Sequence, residues 1–398
     1  MLLALVLALA TDAPVDPVAH SFSFAAVPTL TFDTDEGFGT GGVVTLYHQN
    51  GAVLPYRDAI TFNLFISSKL VQAHAITWDA IKPFDIDGRM YLRLGYYATV
   101  SENYCGVGND VTCAPGVPAA LDRDLDDDFN RHYYLMRFIK PYANAIFRPW
   151  LRDKPYRTEL LFGWRGAWII PGDLTARGPY PGSLFAHDHP DGEAGISSVP
   201  FVGVVVDDRD AETFPTRGIY SEASVRFSHP FTGSTWTYAG ADAQLASFFS
   251  LSDVPRLVLA TRIVGDVIVG DPPVVDMARI GGTVDAIAFG GYQIGRGVRE
   301  ERYLGRVKVL AQAELRAQFI STPLLGQDFN HGAALFSDVG WIGASVDDVG
   351  HEPLKLLSTV GISYRLLWNE DFSIRMDLAV SPDEYDGPGF YVIVGQDF

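Results

Sequence analysis

Residues 287–297 read IAFGGYQIGRG, four glycines and one arginine within eleven residues. Such a stretch invites a phosphate-binding reading, but the G-x-G-x-x-G spacing is absent and no strand–turn–helix pattern frames it. The other reactive side chains gather in segments rich in turn residues. HDHPDGE, residues 187–193, offers His187, Asp188, His189, Asp191 and Glu193. A set of that kind can ligate a divalent transition metal; its Pro and Gly neighbours equally describe an ordinary polar loop, which is the preferred reading. DRDLDDD, residues 122–128, suggests calcium, yet Asp127 stands where an EF-hand loop needs Gly and Tyr133 where it needs Glu. Cys105 and Cys113, the only two cysteines, flank a short loop. They are expected to pair in an oxidising compartment, with two unpaired thiols as the rival. No G-x-S-x-G elbow occurs, and no spacing marks a nucleophile with its base. The chain is therefore read as a non-enzyme, without metal or cofactor.

The elements that position these residues are long strands. In RVKVLAQAELRAQF, residues 306–319, Val307, Val309, Ala311, Ala313, Leu315, Ala317 and Phe319 form one face. Arg306, Lys308, Leu310, Gln312, Glu314, Arg316 and Gln318 form the other. Period two means a strand. Its length exceeds the ~5–6 residues of a soluble strand and suits the ~9–11 of a tilted membrane-crossing one. Residues 89–97, 217–228 and 372–380 repeat the pattern. About sixteen strands follow: 24–34, 37–48, 58–68, 71–81, 89–100, 132–147, 157–170, 198–207, 217–228, 235–248, 255–267, 306–319, 330–340, 355–367, 372–380 and 389–398. Long intervals follow odd strands and short ones follow even strands, as in outer-membrane barrels. The expected fold is all-β, a transmembrane antiparallel β-barrel. Apolar faces turn to lipid and charged faces to a wet lumen.

Composition agrees. Aromatics are 13%, Gly numbers 39, and the net charge of −18 excludes a nucleic-acid binder. Residues 2–10 are an unbroken apolar run, too short to span a bilayer and suited to a signal peptide over 1–13. The barrel domain is then 14–398.

Several segments together resemble the bacterial surface-antigen barrels, the BamA/TamA-like outer-membrane assembly proteins. LTFDTDEGFGTGGVVTLYH looks like the family's opening hairpin, and DDRDAETFPTRGIYSEASV is similar to its mid-barrel turn. ALFSDVGWI carries Phe336, Asp338 and Gly340 of an F-x-D-x-G strand motif. YVIVGQDF, with Gly395 and the terminal Phe398, resembles the signal read by barrel-assembly machinery. The resemblance implies that the loop between strands 11 and 12 folds into the lumen. There the arginine of a V-R-G-Y/F tip would contact the Asp of F-x-D-x-G. Phe289, Gly290, Gly291 and Tyr292 are similar to that tip, with Gly290 where the family has Arg. The cation for Asp338 is then expected from Arg296 first and Arg299 second.

The resemblance implies the outer membrane of a Gram-negative bacterium, with lipid and the barrel-assembly machinery as partners. A role in inserting or translocating proteins or lipids follows, with a periplasmic partner or client proteins. The alternative is a structural or pore-forming barrel without assembly activity. Relatives that handle proteins usually carry POTRA domains before the barrel, and only about a dozen residues separate the expected cleavage site from the first strand here. The resemblance thus speaks for a barrel more strongly than for an insertase.

Overall fold

A computed structural model describes residues 20–33, 37–50, 53, 56–109, 111, 132–152, 156–212, 214–253, 256–283, 286–324, 327–349, 355–368, 372–382 and 387–394. One antiparallel sheet of sixteen strands holds most of them, each strand paired with its neighbours in sequence. The first eight are β1 (Ser21–Asp33), β2 (Gly37–Gln49), β3 (Asp58–Ser67), β4 (Gln72–Ile81), β5 (Gly88–Asn103), β6 (Leu135–Arg152), β7 (Arg157–Pro171) and β8 (Gly195–Asp207). The second eight are β9 (Gly218–Ser228), β10 (Thr237–Asp253), β11 (Arg256–Asp271), β12 (Val307–Leu324), β13 (Gln327–Gly343), β14 (Leu357–Trp368), β15 (Phe372–Val380) and β16 (Gly389–Val394). Every expected strand is present. The main differences are at ends, where β6, β10 and β13 continue beyond their alternating cores. Backbone pairing persists into the loops there, and hydropathy does not record it. The proposed leader, Cys113, Gly395 and Phe398 lie outside the described residues.

Alternation sets the two faces. On β12, Val309 and Phe319 are each 52% exposed, whereas Lys308 and Glu314 are fully buried. The apolar side is therefore the outer, lipid-directed one. The charged side is not the wet wall that alternation alone suggested: around β9–β15 it is covered by the segment between β11 and β12. The sector β1–β3 differs. Its inward positions include Thr29, Thr31, Thr45, Thr61 and Asn63, uncharged residues only partly buried except Thr45. The edge strands β1 and β16 lie side by side, with the rings of Phe32 and Phe390 6.3 Å apart.

One end carries the long connections. There a short helix α1 (Leu184–Asp188), the start of the β11–β12 segment with helix α2 (Val274–Met277), and the ends of β5–β7 share an apolar core. Tyr104, Met136, Phe138, Phe185, Val275 and Leu304 belong to it. The HDHPDGE stretch serves this dome. Tyr104 Oη donates to Asp188 at 3.0 Å, His189 Nδ1 lies 3.1 Å from Glu193, and Glu193 accepts the Val274 N–H at 2.7 Å. The Glu193 hydrogen bond raises the His189 pKa, against a smaller opposing effect of burial.

Cys105, next in sequence to Tyr104 of that core, is buried and disulfide-bonded. If Cys113 is its partner, thiol labelling of the unreduced protein should modify neither cysteine. Two labelled thiols would contradict the pairing.

At the opposite end the β8–β9 turn, residues 208–217, folds across the mouth. Glu212 pairs with Arg89 of β5 at 3.3 Å and with Arg157 of β7 at 3.1 Å. On the other side Phe214 faces Arg316 of β12, 6.0 Å from its ring centroid. Asp210 holds the turn by accepting the N–H of Thr216 at 2.8 Å and of Arg217 at 3.2 Å.

Candidate functional site: the inward loop and the barrel wall

The segment 272–306 enters the lumen because its own sequence supplies both an apolar plug and a turn chemistry. Ile280, Ala288, Phe289, Ile294, Val298 and Tyr303 are buried against Val264, Leu310, Ile342 and Leu357 of the wall. At ~1.5–3 kcal/mol for each large apolar side chain, this packing is the main force seating the loop. Glycine makes the path possible. Gly290 has φ +116° and donates its N–H to the Ile294 carbonyl at 2.7 Å. Gly291, at φ +80°, donates to Val298 at 2.9 Å. Both lie in backbone regions that residues with a Cβ rarely adopt.

The turn built by these glycines presents Arg296, flanked by Gly295 and Gly297, to the wall. Arg296 Nε and Nη2 each donate to Asp338 at 3.0 Å, a bidentate pair. The backbone N–H groups of Gly295 and Arg296 reach the same carboxylate at 3.1 and 3.2 Å. Nη1 donates to Glu314 at 2.8 Å, and the guanidinium lies 3.5 Å from the centre of the Phe336 ring. All of these groups are buried. Arg365 and Arg316 complete the shell of Glu314 at 2.6 and 2.7 Å. Gly340 lies under Phe289, and a Cβ there would meet that ring at 2.5 Å. Each residue of F-x-D-x-G thus touches the loop: Phe336 and Asp338 hold Arg296, and Gly340 leaves room for Phe289.

The tip contact is made six residues beyond Gly290. Gly290 is not a substitute for an arginine at the contact; the guanidinium arrives from Arg296, within Gly295-Arg296-Gly297. Gly290 and Gly291 form the preceding turn. Tyr292 is 36% exposed, and its carbonyl accepts from Arg375 at 2.7 Å. Arg299 is half-buried, with its carbonyl against Gly290. Gly297 fastens the turn to the last strand, donating to Tyr391 Oη at 3.1 Å.

A second buried set holds the start of the loop. Asp266 accepts from Lys308 at 2.8 Å, from the Gly281 N–H at 3.1 Å, and from Arg226. Arg226 also reaches Asp242 at 3.3 Å. Glu222 accepts the Thr283 N–H at 2.5 Å. Alternation placed these charges on the inward face but did not tell which of them the inward loop would cover.

The family described as the Omp85 superfamily domain matches residues 193–398, more than half of the chain and inclusive of both charged sets. The chain belongs to the Omp85 superfamily. A search of curated protein sequences finds no match. Among solved structures, this Omp85 chain is similar to BamA from Haemophilus ducreyi lacking POTRA domains 1–3. Identity there is 13% and the TM-score 0.53, covering 94% of this chain and 70% of that one. It is also similar to CdiB from Escherichia coli, at 14% identity and TM-score 0.58, covering 97% of this chain and 64% of that one. CdiB from Acinetobacter baumannii matches at 13% identity and TM-score 0.50, covering 94% and 65%. The chain thus spans 64% and 65% of the two CdiB chains. Family and neighbours together make it a β-barrel of the Gram-negative outer membrane.

Proposed function

We propose that this Omp85 barrel inserts or translocates polypeptides at the outer membrane, without enzymatic chemistry, in concert with periplasmic client or partner proteins. The observation that carries the reading is the seam. β1 and β16 lie side by side, with the rings of Phe32 and Phe390 6.3 Å apart, and the lumen beside β1 is lined by uncharged, partly exposed side chains, away from the covered charges around β9–β15. Strands parted at that junction would be a template for pairing with another chain. The covered charges around β9–β15 argue against the alternative of a wide open pore, which would show steady conductance in planar bilayers.

Depletion followed by an outer-membrane proteome should reveal missing client proteins. A Phe32→Cys/Phe390→Cys variant, bridged across the seam by a short thiol crosslinker, should fail to restore them, whereas the uncrosslinked variant should succeed. An unchanged proteome on depletion, or full rescue by the bridged barrel, would refute the assignment.

A further inference from the structure

We propose that the outer wall over β11–β15 carries a seat for one phospholipid of the periplasmic leaflet. Its acyl chain lies in an apolar groove, and its phosphate end meets His331 and Tyr364. The seat sets how the barrel is held in its bilayer and goes beyond any role in handling polypeptides.

The groove encloses about 570 Å³ and is lined by Leu257, Leu315, Ala317, Ala333, Leu335 and Met376, among others. That volume is in the range of small-molecule sites, ~300–1,000 Å³. Register explains why the wall is hollow there. Leu257, Ala317, Ala333 and Tyr364 are successive partners across β11, β12, β13 and β14. The adjacent outward row, on the long-loop side, reads Leu259, Leu315, Leu335 and Ile362. The two alanines therefore form a shallow floor, with leucines along one edge and Leu257 and Tyr364 at the two ends.

The edge on the short-turn side is a β-bulge. The β12–β13 register shifts between Gln318 and Ile320, so Phe319 and Ile320 are consecutive yet both exposed. A bulge re-aims side chains in this way, and here it raises a second apolar lip. His331, the partner of Ile320, places Nδ1 2.7 Å from the Tyr364 hydroxyl. This polar pair stands on the side of the groove toward the short turns, which are periplasmic in outer-membrane barrels. Rings with one polar edge favour the level where headgroups begin.

The occupant follows from shape and continuity. The groove opens on the face already turned to lipid, is apolar along its length and is polar at one end. Its floor is two strands that lie ~4.8 Å apart. A hydrocarbon chain fits that width, whereas an α-helix of another protein, ~10 Å across, would rest on the lips. Left unfilled, the lining would forfeit dispersion contacts, so a chain that fits stays longer than its neighbours in the bilayer.

Photolabelling tests the seat. The purified barrel would be placed in phosphatidylethanolamine–phosphatidylglycerol vesicles containing a phosphatidylethanolamine with a diazirine on one acyl chain. After irradiation, modified residues are mapped by mass spectrometry. Leu315, Leu335 and Met376 should be labelled more heavily than Phe62 and Leu64, exposed residues on the outer face of β3. Ala333→Phe, or Ala317→Phe on the neighbouring strand, should fill the floor and bring that excess down to the β3 level. A diazirine fatty acid, which lacks the phosphate, should give a smaller excess. Heat-modifiable gel mobility identifies variants that fold. Even labelling of the two regions overturns the seat, as does an excess that survives a folded filled variant. Cross-links that join two barrels through these residues, or an equal excess from the fatty acid, overturn the choice of a phospholipid as occupant.

Discussion

Replacing Arg296 with alanine should unseat the inward loop at a cost of about 3–5 kcal/mol, the usual penalty for removing one partner of a buried ion pair. The reason is the position of Asp338. Its carboxylate is fully buried, and Arg296 is the cation bound to it at 3.0 Å through two nitrogens. What remains afterwards is the amide of Gln312 at 3.2 Å and two backbone N–H groups. Asp338→Ala should be of similar severity, leaving the guanidinium on Glu314. The double substitution should fall well short of the sum, because the second change removes a charge that the first had stranded. Arg296→Lys should recover only part of the loss, since an ammonium can neither bridge both oxygens nor lie flat against Phe336. Protease sensitivity of the loop in intact cells reports the outcome. Strictly additive single and double effects would contradict the arrangement.

Asp266→Ala should be nearly as damaging by a different route. Lys308 is fully buried and donates to Asp266 and to the Arg279 carbonyl, both at 2.8 Å. Removing the carboxylate leaves that ammonium and the Arg226 guanidinium facing each other, with Asp242 still paired to Arg226. A loss of about 3–5 kcal/mol is expected again. Lys308→Met in the same background should restore much of it by taking out the stranded charge while keeping volume. The Asp266 and Arg296 effects should add, because different residues hold the two sets. Unfolding midpoints of purified barrels would measure this. A harmless Asp266→Ala would mean that the start of the loop is held by apolar packing alone.

The strands were legible because lipid on one side and polar groups on the other impose period two over lengths that soluble strands rarely reach. Val309 and Lys308 were assigned to opposite faces from sequence, and they occupy opposite faces. What fills the inside was not legible. Alternation tells which way Glu314 points, not whether water or Arg296 awaits it. The glycine-rich stretch was recognised as the loop that turns inward, but the resemblance of FGGY to the family tip drew attention to residue 290. The better signal was the pair of glycines around Arg296: a backbone that must bring two successive N–H groups and a guanidinium to one carboxylate favours glycine on both sides. The groove on the outer wall had no local signature, since Ala317 and Ala333 are ordinary strand residues until β12 and β13 pair and set them side by side.

The β8–β9 turn has a mechanical consequence. By linking Arg89 and Arg157 on one side to the vicinity of Arg316 on the other, it acts as a cross-brace over the short-turn mouth. The inward loop braces the far arc from β9 to β16 through Glu222, Asp266, Asp338 and Tyr391. Stiffness is therefore distributed unevenly around the circumference. The arc β1–β3 carries neither brace among the described residues; side-chain links across its inner face include the 3.0 Å contact between Thr45 and Thr61 and the 3.2 Å hydrogen bond from Ser21 to Gln49. Lateral pressure from the bilayer, or a chain wedged in the lumen, would be absorbed as bending of that arc, and the shell would open like a cuff whose rigid part stays still while the compliant flap swings.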